Sequence, residues 1–359
     1  MGYNLKIPLA SSSKEQPKGC SFEIKKMKKN SYFKKRTRRT ISELRFDIVS
    51  EDWVVIATGR AKRPETFKKE KREIVEEKGK CPFCDLSEQL PPVYNSKNIV
   101  VIPNLYPAFS IGNNLNERDI GPYRVMDGVG FHEVIVIKEH EKDVTDFSLD
   151  EMKELVDCYQ ARYLELKSKP YVNYISIFHN HGKEAGASIV HPHSQLIAIP
   201  MIDPDLNRSL NGSKRYWQYH NKCPHCVMLY WDIKDGQRVI FENKDFVVLC
   251  PFASHLAFEV RIYPKDHQAY FEKIDDSKKV TLAEALMISL KTLFKGLDDP
   301  PYNFFLHTAP CDEKEYGHYH WHFEILPKTN IPAGFELGTG IEISTIEPEK
   351  AAKYLRKFI

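Results

Sequence analysis

Gly186-Ala-Ser-Ile-Val-His191-Pro-His193-Ser-Gln195 decides how the rest of this 359-residue chain reads. In an extended stretch successive side chains alternate, so His191, His193 and Gln195 share one face. An imidazole titrating near neutrality can ligate a metal, move a proton or attack phosphorus. An amide two positions on can donate to an anionic oxygen. The same pattern also fits two strand-end histidines with no chemistry, and the flanking sequence has to separate the two readings.

Four of the eight cysteines form two CxxC pairs, Cys81-Pro-Phe-Cys84 and Cys223-Pro-His-Cys226. Without a secretory signal such pairs do not describe a disulfide framework, and in a reducing compartment they are more often metal ligands. Cys20, Cys158, Cys250 and Cys311 lack that spacing and read as ordinary small side chains. Each pair opens the same series of features. After Cys81 and Cys84 come the strand Ile99-Val-Val-Ile, then Glu133-Val-Ile-Val-Ile-Lys-Glu-His140. A helix follows to Leu166, begun by Ser148 with Glu151 as a capping box. The strand Tyr174-Ile-Ser-Ile-Phe leads to the histidine stretch and Leu196-Ile-Ala-Ile.

From Cys223 the order repeats. Phe246-Val-Val-Leu, Glu259-Val-Arg-Ile-Tyr-Pro-Lys-Asp-His267, a helix over 281–296, Tyr302-Asn-Phe-Phe-Leu and His320-Trp-His322 stand in corresponding places. His140 precedes His191 by 51 residues and His267 precedes His320 by 53. Two copies of one unit account for this match, giving an α+β fold with a mixed, largely antiparallel sheet and flanking helices. The expected units are 41–210 and 211–359, behind a basic, disordered extension over 1–40. Glu43-Leu-Arg-Phe-Asp-Ile-Val and Trp53-Val-Val-Ile-Ala read as two strands before a lysine-rich loop reaching Lys80. Gly334-Phe-Glu-Leu-Gly-Thr-Gly340 and a short helix from Glu347 end the chain.

Each copy supplies Cys, Cys, His, His, the ligand set of a closed tetrahedral zinc site. Two thiolates neutralise the dication, and a full shell leaves no position for substrate, so the metal would be structural. The expected sites are Cys81, Cys84, His140 and His191, and Cys223, Cys226, His267 and His320. His132 is a rival ligand, but its equivalent in the second copy is Phe258. A redox role for the CxxC pairs is set aside because neither opens a helix in a βαβ pattern. With His191 on a metal, His193 is held beside it for covalent catalysis and Gln195 donates to phosphoryl oxygens. The second copy keeps His322 but has Glu324 in place of Gln195. A carboxylate there repels phosphate, so that copy is expected to be silent.

A hydrophobic content of 42% indicates a globular protein, and the net charge is +3. Residues 1–40 hold twelve Lys/Arg against Glu15 and Glu23, leaving the body mildly acidic. A zinc-binding protein that uses the basic tail for RNA is the distant alternative reading, but the run Lys34 to Arg39 lacks aromatic residues for base stacking, so no nucleic-acid partner is expected. No apolar run is long enough to span a bilayer, the tail lacks a signal-peptide core, and Lys6 stands where myristoylation wants Ser or Thr. The expected protein is cytoplasmic, with no membrane partner.

These residues resemble the galactose-1-phosphate uridylyltransferase family of the histidine-triad superfamily, from Glu43 to Leu355. The markers are Arg60-Ala-Lys-Arg63-Pro, the first CxxC, Asn104-Leu-Tyr-Pro, Asn180 before a glycine-containing loop, Ser188 and His191-Pro-His193-Ser-Gln195. The resemblance implies two histidine-triad-like motifs, a homodimer, zinc, and a ping-pong reaction. A nucleoside diphosphate-hexose, UDP-glucose above all, gives its nucleotidyl group to His193 and releases hexose 1-phosphate. A second hexose 1-phosphate, galactose 1-phosphate above all, then takes the group. It implies catalytic roles for His193, Gln195 and Ser188. Arg60, Arg63, Asn104, Asn180, Gly186, Gln195, Gly334, Phe335 and Glu336 would touch substrate. Enterobacterial-type members end the motif His-Pro-His-Gly-Gln, lack the second CxxC, and place Tyr-Glu where Thr339 and Gly340 stand here. In these respects the chain resembles the ADP-glucose phosphorylase-like branch, whose acceptor is phosphate.

Overall fold

The computed structural model describes residues 42–58, 81–86 and 89–359. The extension over 1–40, the lysine-rich loop, Arg60 and Arg63 lie outside the described residues. A hairpin of β1 (Glu43–Phe46) and β2 (Trp53–Ile56) opens the body. Short β3 (Tyr94–Asn95) precedes β4 (Ile99–Pro103), and β5 (Arg118–Ile120) pairs with β6 (Tyr123–Val125). Next come β7 (Phe131–Ile137), α1 (Leu149–Leu166), β8 (Tyr174–His181) and β9 (His193–Ile199). Two helices that the sequence reading did not include, α2 (Pro204–His220) and α3 (Pro224–Asp235), link the copies. The second copy runs β10 (Val239–Glu242), β11 (Phe246–Leu249), β12 (Val260–Pro264), α4 (Asp276–Leu297), β13 (Tyr302–His307) and β14 (His322–Pro327). The chain closes with α5 (Gly334–Thr339), β15 (Ile343–Ser344) and α6 (Pro348–Leu355).

Ten strands form one antiparallel sheet in the order β10-β11-β12-β14-β13-β8-β9-β7-β4-β3. Read outward from the β13–β8 junction, each half has the same succession: β8, β9, β7, β4, β3 on one side and β13, β14, β12, β11, β10 on the other. The expected α+β class with a largely antiparallel sheet is what forms. Helices α1 and α4 cover one face. Met152, Leu155, Val156, Tyr159, Tyr163 and Leu166 of α1 recur at helical spacing and bury against Ile135, Ile175, Ile177, Leu196 and Ala198. The α1 start is the expected capping box: Ser148 Oγ accepts from the Glu151 amide, and Glu151 accepts from the Ser148 amide at 2.9 Å.

Alternation decides which residues point away from those helices. On β9, Leu196 and Ala198 join the helix-side core, so His193 and Gln195 face the other way, beside Val134 and Val136 of β7. In the first half this second face carries the loop of Cys81 to Cys84, with Phe83 packed against Val100, Ile102, Val134 and Val136. In the second half it carries α3, whose Leu229 packs on Val247, Leu249 and Tyr263. Cys223 is the N-cap of α3, so one CxxC pair does open a helix, though behind α2 and not in a βαβ crossover.

Candidate functional site

Cys81, Cys84, His140 and His191 bring one donor atom each to within 4.8 Å of one another, and so do Cys223, Cys226, His267 and His320. Cys81 Sγ lies 3.4 Å and Cys84 Sγ 3.6 Å from His191 Nδ1, and Cys84 Sγ lies 3.0 Å from His140 Nδ1. In the second cluster Cys226 Sγ lies 3.3 Å from His267 Nδ1 and 3.5 Å from His320 Nδ1. A tetrahedron of thiolates and imidazoles around a zinc-sized cation has edges of roughly 3.3–3.8 Å, so both donor sets fit such an ion. The rings are oriented for it. His191 Nε2 donates to the Ile137 carbonyl at 2.5 Å and His320 Nε2 to the Pro264 carbonyl at 2.9 Å. Each acceptor lies three residues before the earlier histidine of its half. His267 Nε2 likewise donates to Gly317 O at 2.8 Å. With the proton on Nε2, each of these three rings turns an Nδ1 lone pair toward the sulfurs.

His191 sits in the bend before β9, and the strand itself begins at His193. That bend sends the two rings to different tasks. His193 Nδ1 donates to the His191 carbonyl at 2.8 Å, which leaves Nε2 as the nitrogen with an available lone pair. His193 is only 8% exposed, and the Phe83 ring stands edge-on at 5.1 Å between centroids. Burial pushes the His193 pKa down, and its bond to the His191 carbonyl works in the opposite direction.

Gln195, on the same face, is held by its oxygen: Oε1 accepts from His132 Nε2 at 2.9 Å. His132, the rival ligand, is thus bonded to Gln195 and, among the described residues, lies outside both Cys/His clusters. Asn180 shares this face, because Phe178 is the strand partner of Gln195 and Asn180 lies two residues on. Its Oδ1 accepts from Asn303 Nδ2 at 2.7 Å, and its amide nitrogen faces Gly186, a residue at φ +89°. Asn104 stands at the end of β4, with its side-chain oxygen accepting from the Tyr106 amide at 2.9 Å. Ser188 is exposed on the loop before His191. Gly334, Phe335 and Glu336 form the first turn of α5, with the first two exposed and Glu336 half-buried, and among the described residues no hydrogen bond joins them or Ser188 to His193.

Ser194 points the other way. Its Oγ lies 2.7 Å from Tyr159 OH and 3.2 Å from His179 Nδ1, inside the helix-side core. Burial holds the His179 pKa down at about 3, so that ring is neutral.

The second half repeats the backbone of the site and fills its space. His322 Nδ1 donates to the His320 carbonyl at 3.2 Å, as His193 does to His191. Over it lies His225, the residue equivalent to Phe83, fully buried with a centroid distance of 5.4 Å. Glu324 accepts from His307 Nε2 at 2.8 Å and from Arg261 at 3.2 Å. Burial alone would raise the Glu324 pKa, but Arg261 and His307 outweigh it and hold the carboxyl well below its usual range. His132, Asn303, His307 and Arg261 were not legible as site residues. Each acts through a neighbour fixed by strand register, which the sequence alone does not display.

The first half of the chain matches a family model described as galactose-1-phosphate uridyl transferase, N-terminal domain, over residues 31–202. A second model, described as a domain of unknown function, matches residues 130–357. The chain is 35% identical to an ADP-glucose phosphorylase of Arabidopsis thaliana, over 88% of this chain and 92% of that one. It is 30% identical to a galactose-1-phosphate uridylyltransferase of Thermotoga maritima, over 88% and 98% respectively. A solved Arabidopsis thaliana ADP-glucose phosphorylase with bound ADP-glucose covers 88% of this chain and 99% of its own, at 33% identity and a TM-score of 0.76. None of the described helices is long and apolar enough to cross a membrane.

Proposed function

Because the chain belongs to the galactose-1-phosphate uridylyltransferase family, whose members are nucleotidyltransferases, we propose that His193 carries a nucleotidyl group between hexose 1-phosphates. The single observation that supports this best is the His193 ring itself. Nδ1 is spent on the His191 carbonyl, and Nε2 lies on the sheet face opposite the helices. Nε2 attacks the nucleoside-bearing phosphorus of UDP-glucose, and the bond from that phosphorus to the bridging oxygen breaks. Glucose 1-phosphate leaves with the electron pair. The His191 carbonyl then faces the Nδ1 proton of a cationic imidazolium, which it stabilises by a charge-assisted hydrogen bond. A phosphate oxygen of galactose 1-phosphate attacks the same phosphorus and the histidine departs with its lone pair restored.

Gln195 donates its amide hydrogens to the non-bridging oxygens as charge builds there. Asn180 holds the same group from β8, Asn104 meets the nucleoside, and Ser188 and Gly186 line the intermediate's loop. Gly334, Phe335 and Glu336 face the sugar, and Arg60 and Arg63 hold phosphates. In the functional unit, 41–210 is the catalytic half and 211–359 the silent half, in a cytoplasmic homodimer. Zinc held by the two Cys/His clusters would neutralise the thiolates, and in the first cluster Cys81, Cys84, His140 and His191 would tie the turn that carries Phe83 to the bend before His193.

A second donor and acceptor pair, ADP-glucose with phosphate, has its own support. The second cluster and Thr339 and Gly340 distinguish the chain from enterobacterial-type members, and the Arabidopsis relative is 35% identical. Incubation of the purified protein with UDP-glucose and, separately, with ADP-glucose, followed by intact mass, tests both. A uridylyl adduct favours the first pair and an adenylyl adduct the second, and no adduct with either donor removes the covalent reading.

A further inference from the structure

We infer that His132 is a positioning residue, which holds Gln195 in the one orientation that presents its amide hydrogens, and not its oxygen, to a phosphoryl group. The inference rests on the role proposed for His193 and Gln195. His132 lies on β7 opposite Ile197, so it is a diagonal neighbour of Gln195 on the same sheet face. The Ala108 backbone amide stands 3.1 Å from His132 Nδ1. An amide N–H can only donate, so Nδ1 accepts and the ring proton sits on Nε2. That proton points at Gln195 Oε1, 2.9 Å away. With its oxygen occupied, the Gln195 amide turns its nitrogen outward.

The same ring reaches the other arm of the site. The Asn104 amide donates to the His132 carbonyl at 2.8 Å, and Asn104 Nδ2 lies 3.2 Å from His132 Nε2. Nε2 already carries a proton directed at Gln195, so the Asn104 side chain keeps its hydrogens for another acceptor. One imidazole thus sets the amides expected to meet the nucleoside and the phosphoryl group. In the silent half both partners change together: Arg261 stands opposite Glu324 as Val134 stands opposite Gln195, so strand register puts Glu259, and not the Phe258 expected from the sequence, in the place of His132, while Glu324 replaces Gln195. Glu259 is fully buried close to Glu324 and pairs with Arg261 at 2.8 Å, so no imidazole holds an amide there.

Two isosteric substitutions separate positioning from mere anchorage. In His132→Asn the side-chain oxygen can still accept from Ala108, but nothing reaches Gln195. In His132→Gln the terminal amide can donate to Gln195, but the acceptor for Ala108 is lost. Single-turnover labelling of the full chain by UDP-glucose and by ADP-glucose is measured first on the wild type, with thermal midpoints alongside. The expected result is a rate of adduct formation lower by roughly 10- to 100-fold in His132→Asn, at an unchanged donor KM, and recovered in His132→Gln. The double variant His132→Asn with Gln195→Ala is expected to be no slower than Gln195→Ala alone. The opposite ranking, or additive losses in the double variant, would mean that the ring only anchors the 104–108 loop. Equal rates in all forms overturn the inference as well. A wild type that is never labelled brings down the covalent reading itself, and is recognised as such before any variant is measured.

Discussion

Phe83 and His225 occupy the same place in the two CxxC turns, each with its ring over the later histidine of its half, at 5.1 Å from His193 and 5.4 Å from His322. The difference lies in what surrounds them. Phe83 belongs to a short turn that packs on β4 and β7. His225 belongs to the first turn of a twelve-residue helix, and Arg261, His307 and Glu324 fill the space beneath. Both His225 nitrogens are buried without a hydrogen-bond partner among the described residues. Burial, with His320 and Arg261 nearby, holds its pKa well below the usual value, so the ring serves as neutral packing. Of two similar frames, one presents an imidazole and the other encloses it.

His193→Gly is expected to reduce turnover by about 10⁴-fold or more while leaving metal content and the melting temperature close to wild type. The ring makes one hydrogen bond to its own neighbouring loop and otherwise borders the face opposite the helices. Steady-state assays with both nucleotide sugars, together with elemental analysis, check this. Turnover equal to wild type would eliminate a covalent role for His193.

Cys81→Ala and Cys223→Ala should each remove one metal ion per chain and lower the melting temperature, because a closed site contributes its binding free energy to folding. Cys81→Ala should also slow adduct formation, since His191 and Phe83 border the nucleophile. Cys223→Ala should cost stability with little effect on that step. Inductively coupled plasma measurement with thermal melts and adduct rates reads all three. Retention of full metal content in either variant would contradict the ligand assignment.

Ser194→Gly converts the motif to the enterobacterial form, yet Ser194 faces Tyr159 and His179 on the far side of the sheet. The donor preference is therefore expected to stay as in wild type. Loss of a buried hydrogen bond should cost about 1 kcal/mol, or roughly 2–4 °C in melting temperature. A change in the ratio of UDP-glucose to ADP-glucose labelling would place the hydroxyl in the specificity pathway after all.

His181 ends β8 between Asp143 at 3.1 Å and Asp299 at 2.8 Å. Burial works to lower the pKa of this histidine, but the two carboxylates prevail and raise it to about 10, while Asp143 is held down at about 2. A histidine whose folded pKa exceeds its unfolded value of 6.5 gives stability that is complete below that value and fades as pH climbs toward 10. His181→Gln should thus lower stability by about 1.5–3 kcal/mol near pH 6. The gap from wild type should narrow between pH 7 and 10. Denaturant melts across that range measure it, and a gap that widens with pH would refute the assignment.

Much of this was legible in the sequence because each signal was local. The capping box at Ser148, the alternation of β9 and the matched intervals from His140 to His191 and His267 to His320 all act over a few residues or repeat a pattern. What escaped was relational. His132 looks like a spare ligand until β7 is laid beside β9 in register. Asn303 looks like an ordinary strand residue until β13 is paired with β8. Alternation sends Ser194 to the other side of the sheet, but its partners there, Tyr159 and His179, appear only once α1 and β8 are in place. The helix α2 was missed because its mostly polar surface contributes only a few buried positions, such as Leu206 and Leu210, to the periodic signal.

The junction at β13–β8 gives the second half a structural task in the sheet of the first. Asn303 donates to Asn180 across that seam, and β13 satisfies the outer amides of β8. A chain cut near residue 210 would lose that brace and leave a bare strand edge open to pairing with other molecules. On this pairing the second half is the wall against which the first is built, a task that its strands perform whatever its own side chains do.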